Sequence, residues 1–258
     1  MNKTKYGPCY EVQEDGRVVY TPKPIDELME YAHELAKKDK NDISDEVEKV
    51  WTMMAIQAET NQEVSEKHGD KIMFGGLPNQ ISIALRTELG EFSQEVKPIW
   101  EFWKEGVGKI DRVKALEELV DVWHFGLTLC LVYMNNGKLN SNTGIAIDAT
   151  SFEETEAYLA ETMEMIRYGY DPVNKWHIDG EGFGVDYGSW AIPSDSEWLD
   201  EFMKYPKYRY YATVCLNDAW ENGDLGALTV GFGFSLNDVF NAYLEKNEVN
   251  HKRLAEGD

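Results

Sequence analysis

Apolar residues recur at helical spacing along most of this 258-residue chain, which predicts an all-α fold built as a helical bundle. The pattern begins at Pro24, where PIDELMEYAHELAKK has a capping-type start, and a longer helix follows and ends near Gly69. Two long helices, roughly Asn79–Lys104 and Asp111–Asn135, are joined by the short loop EGVGK, so they should pack antiparallel at the centre of the bundle. Further helices are predicted in SFEETEAYLAETMEMIRYG, SEWLDEFMKYPKYRYYATVCLNDAWENGD and SLNDVFNAYLEKNEVNHKRLAEGD.

Some segments depart from the helical pattern. Residues 1–24 form an N-terminal arm in which CYEVQ and RVVYTP flank the turn EDG, and this predicts a small hairpin. Residues from about 137–200 form an expanded or inserted segment, whose part over 170–195 is irregular and rich in glycine and aromatic residues. LGALTVGFGF is typical either of a strand or of a buried helix segment. No repeat or low-complexity linker divides the chain, so we expect one domain over residues 1–258.

The formal net charge of −22 narrows the choice of partners. Such a surface repels phosphate backbones and anionic lipid, which argues against sequence-independent binding of polymeric nucleic acid and against membrane attachment. The charge has two remaining explanations, an acidic solvated surface or carboxylates recruited for metal. The three cysteines lie at long spacings without a CxxC motif, and the N-terminus lacks the apolar core of a signal peptide, so we expect a cytoplasmic protein.

The first long helix carries an acidic stripe beside its apolar stripe. Its apolar residues fall at i, i+4, i+8, i+11 and i+15 from Ile81, while Glu88, Glu91 and Glu95 fall at i, i+3 and i+7. At about 100° per residue the two stripes are adjacent, so the three carboxylates border the core. Partial burial makes their mutual repulsion worse, and a bound cation would remove that cost.

The second long helix places Glu118 and Asp121, at i and i+3, on a face that continues with apolar residues. Buried carboxylates need a partner, and antiparallel packing would bring this pair against the acids of the first helix. Carboxylates are the hard oxygen donors that suit Mg²⁺, or alternatively Mn²⁺. The alternative is that these acids form solvated helix faces, with Lys114 pairing with Glu118. The predicted metal ligands are Glu88, Glu91, Glu118 and Asp121.

The segment ELGEFSQEVKPIWEFWKEG…ALEELVDVWHFGLTL resembles the all-α nucleoside triphosphate pyrophosphatase superfamily, whose signature is ExxE, a spacer and ExxD. Within that superfamily the likeness is to the dimeric type of deoxyuridine triphosphatase, in its bacterial and phage forms. MazG-like enzymes share the acidic core but lack a last motif, roughly YxxKNxxNxxRQxxGY, which YLEKNEVNHKRLAEG resembles. The resemblance covers about residues 45–135 and 235–257.

This resemblance implies Mg²⁺-dependent hydrolysis of dUTP to dUMP and pyrophosphate, at the anhydride between the α and β phosphates. The four carboxylates would hold the metal, and Glu91 would also polarise the attacking water. The substrate would be a deoxynucleoside triphosphate, and the protein would be a homodimer in which the partner completes the site.

The same resemblance implies a set of substrate-binding residues. Lys246 and Arg253 would contact phosphate oxygens, the first as a point charge and the second as a fork. Asn250 would help to hold the nucleotide. Gln57 aligns with a family glutamine near the base, where an amide can pair with the edge of uracil. Trp103 aligns with a family tryptophan that flanks the site.

The chain also departs from the family pattern. The family's FKxW segment appears as PIWEFW without its lysine, unless Lys104 or Lys109 substitutes, and Leu254 and Asp258 replace a glutamine and a closing tyrosine. Three alternatives therefore stay open. The chain would hydrolyse another nucleotide such as dCTP or a modified deoxynucleotide, would be a MazG-like housecleaning enzyme, or would be a non-catalytic acidic protein of the same fold that binds a nucleotide or a regulator.

Overall fold

The computed structural model describes residues 5–38, 43–68, 77–101, 103–104, 109–134, 146–147, 149–168 and 206–256. The fold is all-α, as predicted, with a small three-stranded antiparallel sheet beside the helices. The strands are β1 (Tyr10–Val12), β2 (Val18–Tyr20) and β3 (Ala146–Ile147). The helices are α1 (Ile25–Ala36), α2 (Ile43–His68), α3 (Leu77–Glu95), α4 (Lys97–Trp100), α5 (Arg112–Met134), α6 (Ala149–Tyr168), α7 (Pro206–Asn222), α8 (Leu225–Gly231) and α9 (Leu236–Glu256). Among the described residues, no helix combines the length and apolar character that a membrane span requires.

Helices α3 and α5 form the centre of the bundle and run antiparallel, as predicted. Leu85 of α3 lines the same cavity as Gly126 and Leu129 of α5. Glu88, one turn further along α3, lies instead beside Asp121, which precedes Gly126 by more than one turn. Residue numbers therefore increase along α3 in the direction in which they decrease along α5. Most of α5 is buried, because α2, α3, α6 and α9 all pack against it.

The first long helix is shorter than predicted. Helix α3 ends at Glu95 and the short helix α4 follows after a one-residue turn, so the predicted continuous helix to Lys104 is wrong. Pro98 explains the break, because its ring lacks an N–H and clashes with the carbonyl group four residues earlier. Trp100 holds the new chain direction by donating a hydrogen bond from Nε1 to the backbone oxygen of Ser93, at 2.9 Å.

The first seven residues of LGALTVGFGF form helix α8, and no residue of this segment is in a strand. All seven residues of α8 are buried, and an apolar run of this kind is shared by buried strands and buried helices. Two glycines allow close packing on the neighbouring helices. Gly226 lies against Thr162 of α6, and Gly231 lies against Cys215 of α7.

The predicted hairpin of the N-terminal arm is present as β1 and β2, with Tyr10 opposite Tyr20. The third strand has no counterpart in the sequence prediction. Strand β3 pairs with β2 and places Ile147 opposite Val18. The hairpin packs on α2 through Tyr10 and Trp51, whose ring centroids are 5.1 Å apart. The arm is therefore held both by the sheet and by the aromatic core.

One cluster of buried apolar residues joins the arm to α1, α2, α3, α5, α6 and α9. The segment predicted as irregular over 170–195 lies outside the described residues, and so does the predicted helix before Pro206. Within the expanded segment of about 137–200, the structure describes 146–147 and helix α6. One domain over residues 1–258 stays a prediction.

We expect Gly226→Ala to destabilise the protein, because a Cβ at this position would lie 2.6 Å from the backbone oxygen of Thr162 and 2.9 Å from its Cα. Backbone atoms move aside only at a cost, so the free energy of unfolding should fall by about 1–3 kcal/mol. Gly90→Ala is the matched control, because nothing lies within 4 Å of its Cβ position. Alanine there should gain up to about 1 kcal/mol of helix stability. Urea unfolding measures both variants, and equal stability of the two would contradict the close packing of α8 on α6.

Candidate functional site

Three carboxylates from α3 and α5 converge at the centre of the bundle. Glu88, Glu118 and Asp121 each have an oxygen within 4.8 Å of the other two, and all three side chains are half-buried. We call these three residues the acidic cluster. The i, i+3 spacing puts Glu118 and Asp121 on one face of α5, and antiparallel packing brings Glu88 to that face. The structure thus brings together three of the four predicted metal ligands.

The acidic cluster carries more negative charge than its surroundings favour. Burial raises the pKa of Glu88 to about 7, and repulsion from Asp121, Glu91 and Glu118 adds to the rise. Burial also raises the pKa of Glu118, with further repulsion from Asp121 and Glu91. A divalent cation would favour the ionised form of these groups. Closely spaced hard oxygens with raised pKa values therefore fit a metal such as Mg²⁺.

Glu91, the fourth predicted ligand, lies outside the group of three. It is exposed on α3, one turn beyond Glu88. Its charge still adds to the rise in pKa that burial causes at Glu88 and Glu118. Glu91 therefore borders the acidic cluster from the solvent side, and its metal-binding and catalytic roles stay predictions.

A lysine from α9 adds a positive charge to this group. Nζ of Lys246 lies 2.7 Å from Oδ2 of Asp121, and both side chains are partly buried. Helix α9 reaches the site because it packs on both α2 and α5. The residue predicted to contact phosphate thus contacts a predicted metal ligand. Carboxylates beside an ammonium form a set that suits a metal-bound polyanion.

A buried network of hydrogen bonds ties α2, α5 and α9 together one turn along α5 from Asp121. Oε1 of Gln57 accepts a hydrogen bond from the hydroxyl of Tyr243 (2.8 Å) and lies 2.7 Å from Nδ1 of His124. Nε2 of Gln57 donates to Oδ1 of Asn61, at 3.0 Å. The imidazole ring of His124 stacks on the ring of Tyr243, with centroids 4.3 Å apart. The position of α9 beside the acidic cluster therefore depends on this network.

Burial determines the protonation of His124. It lowers the pKa of His124 to about 3, with a further contribution from the charge of Lys246, so the ring is neutral at physiological pH. Because the oxygen of Gln57 can only accept, Nδ1 of His124 is the donor in their contact. Gln57 itself is 5% exposed, and its amide contacts three side chains. Its predicted contact with the base stays a prediction.

The sequence pattern assigns no role to His124 or Asn61, although each lies one helical turn from a predicted site residue. His124 follows Asp121 at i+3, and Asn61 follows Gln57 at i+4, so the spacing was the available signal. Among the described residues, Nε2 of His124 and Nδ2 of Asn61 are buried without a hydrogen-bond partner. Such atoms are normally satisfied by water or by a polar ligand.

The other predicted substrate-binding residues lie on α9 and in the segment after α4. Asn250 and Arg253 follow Lys246 at i+4 and i+7 and share its face of α9, with Asn250 partly buried and Arg253 exposed. Trp103 is 60% exposed, and its ring is tilted against that of Trp100 at a centroid distance of 5.8 Å. The binding roles of these three residues stay predictions.

A family model described as dUTPase matches residues 49–177 of the chain. The matched half contains Gln57 and the whole acidic cluster, whereas Lys246 on α9 lies beyond it. No curated protein and no solved structure matches the chain. Because the match covers half of the sequence and the fold is all-α, the chain belongs to the all-α dUTPase family.

Proposed function

We propose that the chain is a nucleoside triphosphate pyrophosphatase that hydrolyses dUTP to dUMP and pyrophosphate with Mg²⁺. The acidic cluster carries this proposal, because it lies wholly within the part of the chain that the dUTPase model matches. Family membership supports hydrolysis of a nucleotide. The identity of the base as uracil and of the metal as Mg²⁺ is what we propose in addition. The resemblance of the sequence to dimeric deoxyuridine triphosphatases further supports a homodimer in the cytoplasm.

The residues of the site fit a hard divalent cation. Glu88, Glu118 and Asp121 would hold Mg²⁺ through carboxylate oxygens, and Glu91 would add a fourth carboxylate from the solvent side. When bound, the ion would neutralise charge on the triphosphate and activate a water molecule.

The side chains of α9 would bind and orient the triphosphate. Lys246 supplies a point charge for phosphate oxygens, and Arg253, two turns further along, supplies a planar fork of donors. Asn250 lies between them on the same face and would hold the nucleotide through its amide. The exposed carboxylate of Glu91 would take up the proton of the attacking water.

Selection of the base would fall to the region around Gln57 and Asn250. Gln57 still has one amide N–H beyond those used in the buried network, and this group can donate to a carbonyl oxygen of uracil. Trp103 would flank the bound nucleotide with its exposed ring.

The substrate is tested by pyrophosphate release from dUTP, dCTP, dTTP, dATP and dGTP, each with Mg²⁺ and with EDTA. We expect turnover of dUTP with Mg²⁺ and none with EDTA, because the cluster carboxylates alone would repel the triphosphate. Turnover of another base in place of dUTP would contradict the proposed substrate but keep the metal site. Absence of turnover for every nucleotide would instead favour a binding or regulatory protein.

Removing one carboxylate charge should abolish turnover while the fold survives. We expect Asp121→Asn and Glu91→Gln each to lower kcat by at least about 100-fold, because even indirect partners of a metal cost 10–100-fold when lost. Glu153→Gln is the matched control, since Glu153 is exposed on α6, a helix that holds none of the three cluster residues. Circular dichroism would establish that all variants fold. Full activity of both Asp121→Asn and Glu91→Gln would overturn the metal-site assignment.

Mg²⁺ should stabilise the protein more at pH 8 than at pH 6. The carboxyl group of Glu88 ionises near its ordinary pKa of 4.5 when unfolded and at about 7 when folded, because of burial and neighbouring acids. Without metal, this group therefore makes the folded state less stable as the pH rises from 4.5 to about 7. Below pH 7 a proton competes with the metal for Glu88. The measurement is the shift in melting temperature with Mg²⁺ at the two pH values, and Glu88→Gln should remove most of the difference between them. An equal shift at both pH values would contradict a role for Glu88 in metal binding.

A further inference from the structure

Lys246 and a bound divalent cation would need the same oxygen. Nζ of Lys246 lies 2.7 Å from Oδ2 of Asp121, and Asp121 is one of the three carboxylates of the acidic cluster. We propose that Lys246 competes with the metal for Asp121 and so holds down the metal affinity of the protein until a polyphosphate draws the ammonium group away. This inference rests on the proposed function, because it takes the acidic cluster as the metal site.

The ammonium group of Lys246 is partly shielded from water where it contacts Asp121. The side chains of Lys246 and Asp121 are 31% and 21% exposed, so water screens their attraction only in part. The charge of Lys246 also opposes the rise in pKa that burial and neighbouring acids cause at Glu88 and Glu118. Lys246 therefore already performs part of the charge neutralisation that a metal would perform.

Only the side chain of Lys246 has to move for a metal to reach Asp121. Helix α9 is anchored one turn earlier by Tyr243, whose buried hydroxyl contacts Oε1 of Gln57 and the backbone oxygen of Met53. Asn247, which follows Lys246, is 3% exposed, and its Oδ1 accepts a hydrogen bond from the hydroxyl of Thr60 on α2, at 3.2 Å. The helix is thus fixed, while the flexible four-carbon stem of lysine lets its ammonium group change partners.

A divalent cation and an ammonium group repel each other when both lie on one carboxylate. A metal that binds Asp121 must displace the ammonium of Lys246 or tolerate it at close range, and its affinity falls in both cases. A triphosphate offers more anionic oxygens than one carboxylate does, so its arrival gives Lys246 a better partner and releases Asp121. Metal and triphosphate would then each strengthen the binding of the other by the same factor.

Lys114 is the control position that distinguishes direct competition for Asp121 from a general effect of positive charge. It lies one turn before Glu118 on α5 and is exposed, so it is near the acidic cluster but screened by water and salt. Replacing either lysine by methionine removes one unit of charge. Lys246 contacts an oxygen of Asp121, and competition for that oxygen would be lost only with Lys246.

The experiment is a titration of the whole nucleotide-free chain with Mn²⁺, followed by the electron paramagnetic resonance signal of unbound Mn²⁺. We expect Lys246→Met to tighten Mn²⁺ binding by about tenfold or more, and Lys114→Met by less than about twofold, because repulsion falls with distance and screening. Lys246→Arg keeps a positive charge on Asp121, so its Mn²⁺ affinity should stay within about twofold of that of the unchanged protein. Asp121→Asn should weaken binding and so identifies the site being measured.

Two results would contradict the proposal that Lys246 competes with the metal. One is equal tightening by Lys246→Met and Lys114→Met, and the other is unchanged or weaker Mn²⁺ binding by Lys246→Met. If Lys246→Met fails to fold, Lys246→Gln serves the same comparison. A failure of the proposed metal site gives a different result, in which the unchanged protein binds no Mn²⁺ or Asp121→Asn binds it equally well.

Discussion

Repulsion among half-buried carboxylates is the constraint on which the centre of this bundle depends. Antiparallel packing of α3 and α5 buries the apolar stripes of both helices, and the same packing carries Glu88 against Glu118 and Asp121. The core cannot form in this way without bringing those charges together. Lys246 offsets part of the repulsion through its contact with Asp121. The apolar packing that stabilises the central helices therefore also creates the concentration of negative charge at the site.

The buried network around Gln57 solves a different problem, which is the placement of α9. Charged groups would be costly at this depth, and the network uses the neutral side chains of His124, Tyr243 and Asn61 instead. The contacts of His124 and Tyr243 with Gln57 join helices that are distant in sequence, and the bond to Asn61 orients Gln57 within α2. The charged residues of the site can then remain at the edge of the core, where ligands and water reach them, while the backbone that carries them stays fixed.

Local pattern predicts most of the helices and the acids of the site, because apolar stripes and i, i+3 spacings are properties of single helices. The break before Pro98 was also predictable from the local sequence, since proline disrupts a continuing helix. The strand pair formed by Val18 and Ile147 was not, because these residues meet only once the whole chain has folded. The same limit applies to the contact of Lys246 with Asp121. A sequence pattern places both residues near the site but does not say that they are partners.

The pairing of β2 with β3 also bears on the order in which the molecule folds. Strands β1 and β2 precede β3 in the chain, but a hairpin of two short strands is marginally stable alone. Its third strand lies far along the chain, and contacts of such long sequence separation form slowly because loop closure must come first. Helix α6 begins two residues after β3 and packs on α2, so association of these two helices would bring β3 towards β2. The sheet that holds the N-terminal arm can therefore be completed only after a large part of the chain has been synthesised.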